Sequence, residues 1–260
     1  MPFLEIAIEP TTLVVLLFVA FLAGFIDAIA GGGGLLTLPA LLTAGLPPHL
    51  VLGTNKLSAT FGSATASYAF YRRRLFEPGL WWRALIGTGI GALLGAVLAH
   101  AVPADWLNQL LPLVVFGCGL YLLFSRVPGT VTTGGAPIGR GRQWLQSLGL
   151  GFYDGVAGPG TGAFWTISSL LLYPLDLLRA SGVARTMNFI SNATALSVFI
   201  VSGHVAWVLG IGMGLALMAG AFLGARTAIS GGSKFIRPIF ILVVLAMSLR
   251  LAWQHWFGTA

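Results

Sequence analysis

GFIDAIAGGGG at residues 24–34 and GFYDGVAGPGTG at residues 151–162 are two versions of one motif. Each sets a single aspartate, Asp27 or Asp154, in an apolar run, breaks that run with glycines, and resumes it for a short stretch. The offset between them is 127 residues; from residue 53 onward it becomes 129 and stays there. At that offset Lys56 falls on Arg185, Ala64-Thr65-Ala66 on Ala193-Thr194-Ala195, GALLGA at 91–96 on GAFLGA at 220–225, and Leu113-Val114-Val115 on Leu242-Val243-Val244. A constant offset over several motifs marks a duplicated chain.

The composition says where such a chain lives. Hydrophobic residues make up 57% of its 260 positions and charged residues only 8%, about a third of what soluble domains carry. A water-facing surface cannot be built from that supply, so a soluble enzyme is excluded and a polytopic all-α membrane protein is expected. The net charge of +7 would suggest nucleic acid in a soluble protein. Here no basic helix with interleaved aromatics supports that partner, and cytoplasmic loops of membrane proteins concentrate Lys and Arg. The lone Cys118 excludes a disulfide framework or CxxC site. Glu5 and Glu9 precede the first apolar segment without a basic residue, unlike a cleaved signal peptide, so that segment is expected to remain.

A helix crossing the hydrocarbon needs about 20 apolar residues. Candidate segments are 11–30, 34–46, 48–71, 80–101, 105–124, 143–158, 160–173, 176–202, 204–226 and 235–257. Segments 34–46 and 160–173 are too short to cross alone, and each follows a glycine break. Backbone groups freed at membrane depth are tolerated only inside protein or beside water. Segments 11–30 with 34–46, and 143–158 with 160–173, therefore read as broken or re-entrant elements. A re-entrant hairpin is favoured over a continuous broken helix because of the loop charges. Eleven of the fourteen basic residues lie in or near loops: Arg72, Arg73, Arg74, Arg83, Arg126, Arg140, Arg142, Arg179, Arg226, Lys234 and Arg237. With these inside, the stretches around 46–49, 100–105 and 203, which contain no Lys or Arg, lie outside. Segment 48–71 then ends inside while its counterpart 176–202 ends outside. The expected organisation is an inverted internal repeat with both termini outside: residues 1–125, a cytoplasmic linker at 126–142, and residues 143–260. The linker is too short for a nucleotide-binding domain.

Inverted repeats with broken helices characterise secondary transporters, whose substrate sits near the midplane between the repeats. The ionisable groups at that depth are Asp27, Asp154, Lys56 and Arg185, and a charge at a helix centre costs on the order of 2.5–3.5 kcal/mol. One reading is a structural ion pair within each half. The other is that Lys56 and Arg185 attract an anion, with Asp27 and Asp154 as counter-ions or proton carriers. A helix N-terminus after a glycine break offers free N–H groups and a positive dipole end, so Gly33, Gly34, Gly160 and Gly162 join the candidate site. Thr37 and Thr161 would add hydroxyls; Asn55, Asn188 and Asn192, with Ser58 and Ser191, share the helices of the two cations.

The remaining signals read as structural. Gly87, Gly91 and Gly95, and Gly220 with Gly224, form small-residue faces for helix packing. Trp81, Trp82, Trp106, Trp253 and Trp256 lie near segment ends, as interface anchors do. His49, His100, His204 and His255 lack partners at metal-ligand spacing, so no metal or cofactor is expected. Arg250 falls in the last segment, facing either the bundle or the interface.

GFIDAIAGGGGLLTLPALL, GTNKLSATFGS at 53–63 and GALLGA at 91–96, with their second-half counterparts, resemble the sulfite exporter TauE/SafE family over residues 11–257. That resemblance implies a permease of the bacterial inner membrane for sulfite, sulfonates or another small organic anion, coupled to protons or an exchanged anion. Where the first half has four glycines and Lys56, the second has Gly158-Pro159-Gly160-Thr161-Gly162 and Arg185, whose guanidinium suits an oxyanion edge. The alternatives are a carrier for an unrelated organic anion and a membrane scaffold that transports nothing. An intramembrane enzyme would need a nucleophile–base pair that the sequence does not show. The expected partners are the lipid bilayer and a small anion, with homo-oligomerisation left open.

Overall fold

The computed structural model describes residues 9–107 and 139–256, with side chains up to Gly232. Cys118, Arg126, most of segment 105–124 and most of the linker lie outside the described residues. So do the side chains of Lys234, Arg237, Arg250, Trp253, His255 and Trp256. All regular structure described is helical: α1 Pro10–Ala30, α2 Gly34–Thr43, α3 Pro48–Arg72, α4 Pro78–Ala101, α5 Arg140–Val156, α6 Thr161–Leu172, α7 Leu177–Val201 and α8 Trp207–Trp256. Gly232, at φ 65° and ψ −169°, breaks α8.

Local chemistry sets the boundaries. α1, α3 and α4 open on Pro10, Pro48 and Pro78, where a missing N–H costs nothing and φ is already helical. The Asp176 carboxylate caps α7 by accepting the N–H of Arg179 at 2.8 Å. α1 ends at Gly31, left-handed at φ 83°, a conformation that side chains other than hydrogen resist. Among the described residues, three helices are long and apolar enough to cross a membrane: Pro10–Ala30, Pro78–Ala101 and Trp207–Gly232. α3 and α7 have 25 residues each, about 37 Å of helix, but carry the buried Lys56 and Arg185.

α3 and α7 form the centre and run antiparallel: Gly53 lies against Phe199, Lys56 against Asn192 and Ser67 against Thr186. α1 and α8 pack on one side, α4 and α5 on the other. Both flanking pairs join helices from different halves of the sequence, and both are parallel. Gly220 and Gly224 rest on the backbone of Phe21 and Phe25, while Gly91 and Gly95 rest on Leu148 and Phe152. A methyl group at any of these glycines would strike backbone, so the small-residue faces serve close approach.

Two apolar clusters close the ends. Leu16, Leu38, Leu41, Val51, Phe199 and Leu209 pack where α2 ends and α3 and α8 begin. Phe70, Leu170, Leu177 and Ala228 pack at the other end, beside the loop carrying Arg72, Arg73 and Arg74 and the starts of α4, α5 and α7 with Arg83, Arg140, Arg142 and Arg179. α1–α2 enters and leaves at the first end, and α5–α6 at the arginine end. Each is a hairpin bent at its glycines.

The tryptophans divide. Trp82 and Trp106 are exposed, and the Arg83 guanidinium lies 4.5 Å from the Trp82 ring centre. Trp81 is not an interface anchor as its position suggests. It is buried edge-on to Tyr173, with ring centres 5.0 Å apart, because the first turn of α4 faces the C-terminus of α6. Trp81→Ala is expected to cost about 3 kcal/mol through lost packing and Trp82→Ala under about 0.5 kcal/mol. Melting temperatures of the two detergent-solubilised variants would show this order, and equal losses would contradict it.

Candidate functional site

The two glycine breaks meet at mid-depth. The N–H of Ala163 donates to the Gly31 carbonyl at 3.2 Å, and a Cβ on either Gly31 or Gly162 would overlap the other's backbone. The N-termini of α2 and α6 thus converge on one point from opposite ends of the bundle, which is why both halves need glycine there.

The four ionisable groups gather at this junction, paired across the halves. Lys56 Nζ lies 2.7 Å from Asp154 Oδ1 and donates also to the Asp154 carbonyl and to Asn192 Oδ1 at 3.1 Å. Asp154 Oδ2 accepts from the Ser191 hydroxyl. Arg185 Nη1 donates to the Asp27 carbonyl and stands 3.7 Å from Asp27 Oδ2. Contrary to the structural reading of one ion pair within each half, the pairs cross between the halves: Lys56 belongs to the first half and Asp154 to the second, and the other pair is crossed likewise. The antiparallel contact of α3 with α7 explains the exchange, since it carries each cation toward the aspartate of the opposite motif.

The pairs differ in what they leave over. Every donor direction of Lys56 is used. On Arg185, Nε and Nη2 have no hydrogen-bond partner among the described residues. These two atoms form the side-on edge of the guanidinium, the one that binds two oxygens at once. Asp27 is the most open of the four, its side chain 16% exposed against 3% for Asp154, and its Oδ1 accepts the N–H of Gly33 at 2.9 Å. The carboxylate therefore sits where an anion at the N-terminus of α2 would sit.

A cavity of about 30 Å³ lies at the junction, walled by Asp27, Lys56, Asp154, Asn55, Asn188 and Asn192 among others. Its wall also includes Gly33, Gly34, Gly160, Gly162, Thr37 and Thr161. It has room for a water or two; a three-oxygen anion would need it to widen. Arg185 is not on this wall. It lies behind Gly31 and Gly162, close enough that a Cβ on either would meet Nη2. Both threonine hydroxyls are already committed, Thr37 to Asn55 Oδ1 at 2.6 Å and Thr161 to the Gly158 carbonyl at 2.8 Å. Ser58 bonds within its own helix, to the Asn55 carbonyl. The buried Asn188 Oδ1 has no partner among the described residues.

Residues 16–251 match the family model described as sulfite exporter TauE/SafE. The chain belongs to the TauE/SafE family. Its relatives include "Probable membrane transporter protein YfcA" of Escherichia coli K12, 39% identical over 96% of each chain. "Probable membrane transporter protein ORF9" of a Sinorhizobium species is 41% identical over 92% of each. A "Probable membrane transporter protein" of Haemophilus influenzae is 37% identical over 94% of this chain and 96% of its own. No solved structure matches the chain. The TauE/SafE family is one of membrane transporters, not enzymes, and implies a small solute as substrate. This member is a multi-pass membrane protein with bacterial homologues.

Proposed function

We propose that this TauE/SafE protein is a secondary transporter of the bacterial inner membrane, moving sulfite or a small organosulfonate by alternating access between two inverted repeats. The observation that carries the reading is the central cavity, walled by both halves at the point where two ion pairs join them. The antiparallel α3 and α7 and the opposed glycine hairpins support the inversion. The grouping of the arginines at one end supports placing that end, with the linker, in the cytoplasm and both termini outside.

The site's charges suggest how it works. Two cations and two carboxylates sum to zero, so an incoming anion needs a carboxylate to give way. Asp27 is placed to do so, because it is the more open and already holds the seat at Gly33. Protonation of Asp27, or its displacement by a substrate oxygen, frees that N–H and loosens Arg185. Parting of Gly31 from Gly162 then brings the Nε–Nη2 edge of Arg185 onto the cavity, where it can bind two oxygens of the anion. Lys56 and Asp154 hold the opposite side until the exchange is repeated there.

Purified protein in liposomes should take up sulfite or a sulfonate against an inward-buffered control, and Arg185→Ala should remove that uptake. Undiminished transport in the properly inserted variant would sink the assignment. Thermal-shift screening of sulfite, sulfate, thiosulfate and sulfonates would rank the substrates, since a ligand of the folded state stabilises it.

A further inference from the structure

Three histidines distant in sequence come together at the end of the bundle opposite the arginines. His49 lies in the first turn of α3, His100 in the last turn of α4, and His204 in the turn between α7 and α8. Their ring centres are 5.1 Å (His49–His204), 5.2 Å (His100–His204) and 6.2 Å (His49–His100) apart. They stand where the described chain has no Lys or Arg, so they are the side chains there able to become positive near neutral pH.

The cluster ties together the elements that cover the central cavity from this side. His49 Nε2 is 3.0 Å from the Val102 carbonyl, joining α3 to the end of α4. The His204 backbone lies on Gly53 with no room for a Cβ, and its N–H donates to the Phe199 carbonyl at 2.9 Å. Two residues on, the N–H of Ala206 donates to the Thr54 hydroxyl at 3.0 Å. Asn55 and Lys56 follow directly on α3. His49 and Lys56 are seven residues apart, on nearly one helix face and about 10 Å along its axis.

We propose that the His49–His100–His204 cluster is a proton-operated latch: neutral rings hold the α7–α8 turn against α3 and α4, and protonation of more than one ring releases it, opening the cavity to that side. Two positive imidazoles about 5 Å apart repel, and repulsion is strongest where water is scarce. The groups that act on His204 agree. Burial first, and then positive charge on His49 and His100, hold it below its ordinary value. The acids at this end are Glu9 and Asp105, and neither is ion-paired to a histidine among the described residues. A histidine held down in the closed arrangement favours closure above its ordinary pKa and opposes it as pH falls. The latch is thus closed near pH 7.5 and opens toward about pH 5. Among the described residues no group of three His, Cys, Asp or Glu is arranged to hold a metal ion.

The test needs no substrate, so it stands apart from the transport reading. Ala59, on the cavity wall, is changed to Cys in a Cys118→Ser background, and the full-length protein in liposomes is treated with a membrane-impermeant thiol reagent. Rates are normalised to the denatured protein at each pH. Labelling should rise several-fold from about pH 7.5 to pH 5, tracking the protonated fraction of imidazoles. It should become independent of pH when all three histidines are Gln. Should the triple variant fail to fold, His204→Gln alone should flatten the profile by at least half. A flat wild-type profile would overturn the latch, as would a rise that survives the Gln changes. So would labelling at pH 7.5 that micromolar Zn²⁺ suppresses and a chelator restores, which would make the cluster a metal site.

Discussion

Lys56→Met should lower the melting temperature of the purified protein by on the order of 10 °C and abolish transport, while adding Asp154→Asn should return most of the stability and none of the transport. The single change strands the Asp154 carboxylate, whose side chain is 3% exposed, with the Ser191 hydroxyl as its one remaining side-chain donor among the described residues. Breaking a buried pair costs about 3–5 kcal/mol, whereas replacing both members with neutral groups of similar volume is close to neutral. Each kcal/mol is worth roughly 2–4 °C in a chain of this size. The asymmetry between stability and transport carries the information. A pair that merely fastened the halves would let the double variant transport normally, and that result would reduce Lys56 to a structural role.

Gly31→Val should be nearly as severe for a different reason. At φ 83° the residue pays about 1–2 kcal/mol for a Cβ in left-handed backbone, and that Cβ also runs into the Gly162 backbone and the Arg185 guanidinium. Overpacking of this kind adds about 1–3 kcal/mol. Gly45→Val is the internal control, since Gly45 has φ 81° and nothing within 4 Å of an added Cβ. The expected outcome is a small loss of stability at Gly45, with transport kept, and a large loss of both at Gly31. Equal effects would mean that only the local backbone is at stake and that the meeting of the two breaks has no role.

The sequence carries the helices well because apolar length and glycine are local signals. Segments 11–30, 48–71 and 176–202 lie within one or two residues of α1, α3 and α7. The motif comparison also named most of the cavity wall, since Asp27, Lys56 and the two glycine breaks recur at fixed offsets and the asparagines share the helices of the two cations. Partnership was not legible. Nothing in the spacing of Asp27, Lys56, Asp154 and Arg185 says which carboxylate each cation meets; that depends on α3 lying antiparallel to α7. The same holds for His49, His100 and His204, which look isolated along the chain and share a surface only after α4 and α8 are placed. Trp81 was misread because nearness to a helix end does not tell which way that end faces. Arg185 was read as touching the substrate space, yet the backbone of Gly31 and Gly162 screens it, a detail no composition rule contains.

The crossed packing also bears on how the protein is made. Lys56 leaves the ribosome 98 residues before Asp154, about 5–20 s earlier at ordinary synthesis rates. In that interval α1 lacks α8, α4 lacks α5, and a lysine destined for burial has no counter-charge. The first half cannot be completed in the membrane as it is threaded. Its packing is finished only when the second half arrives to fold against it.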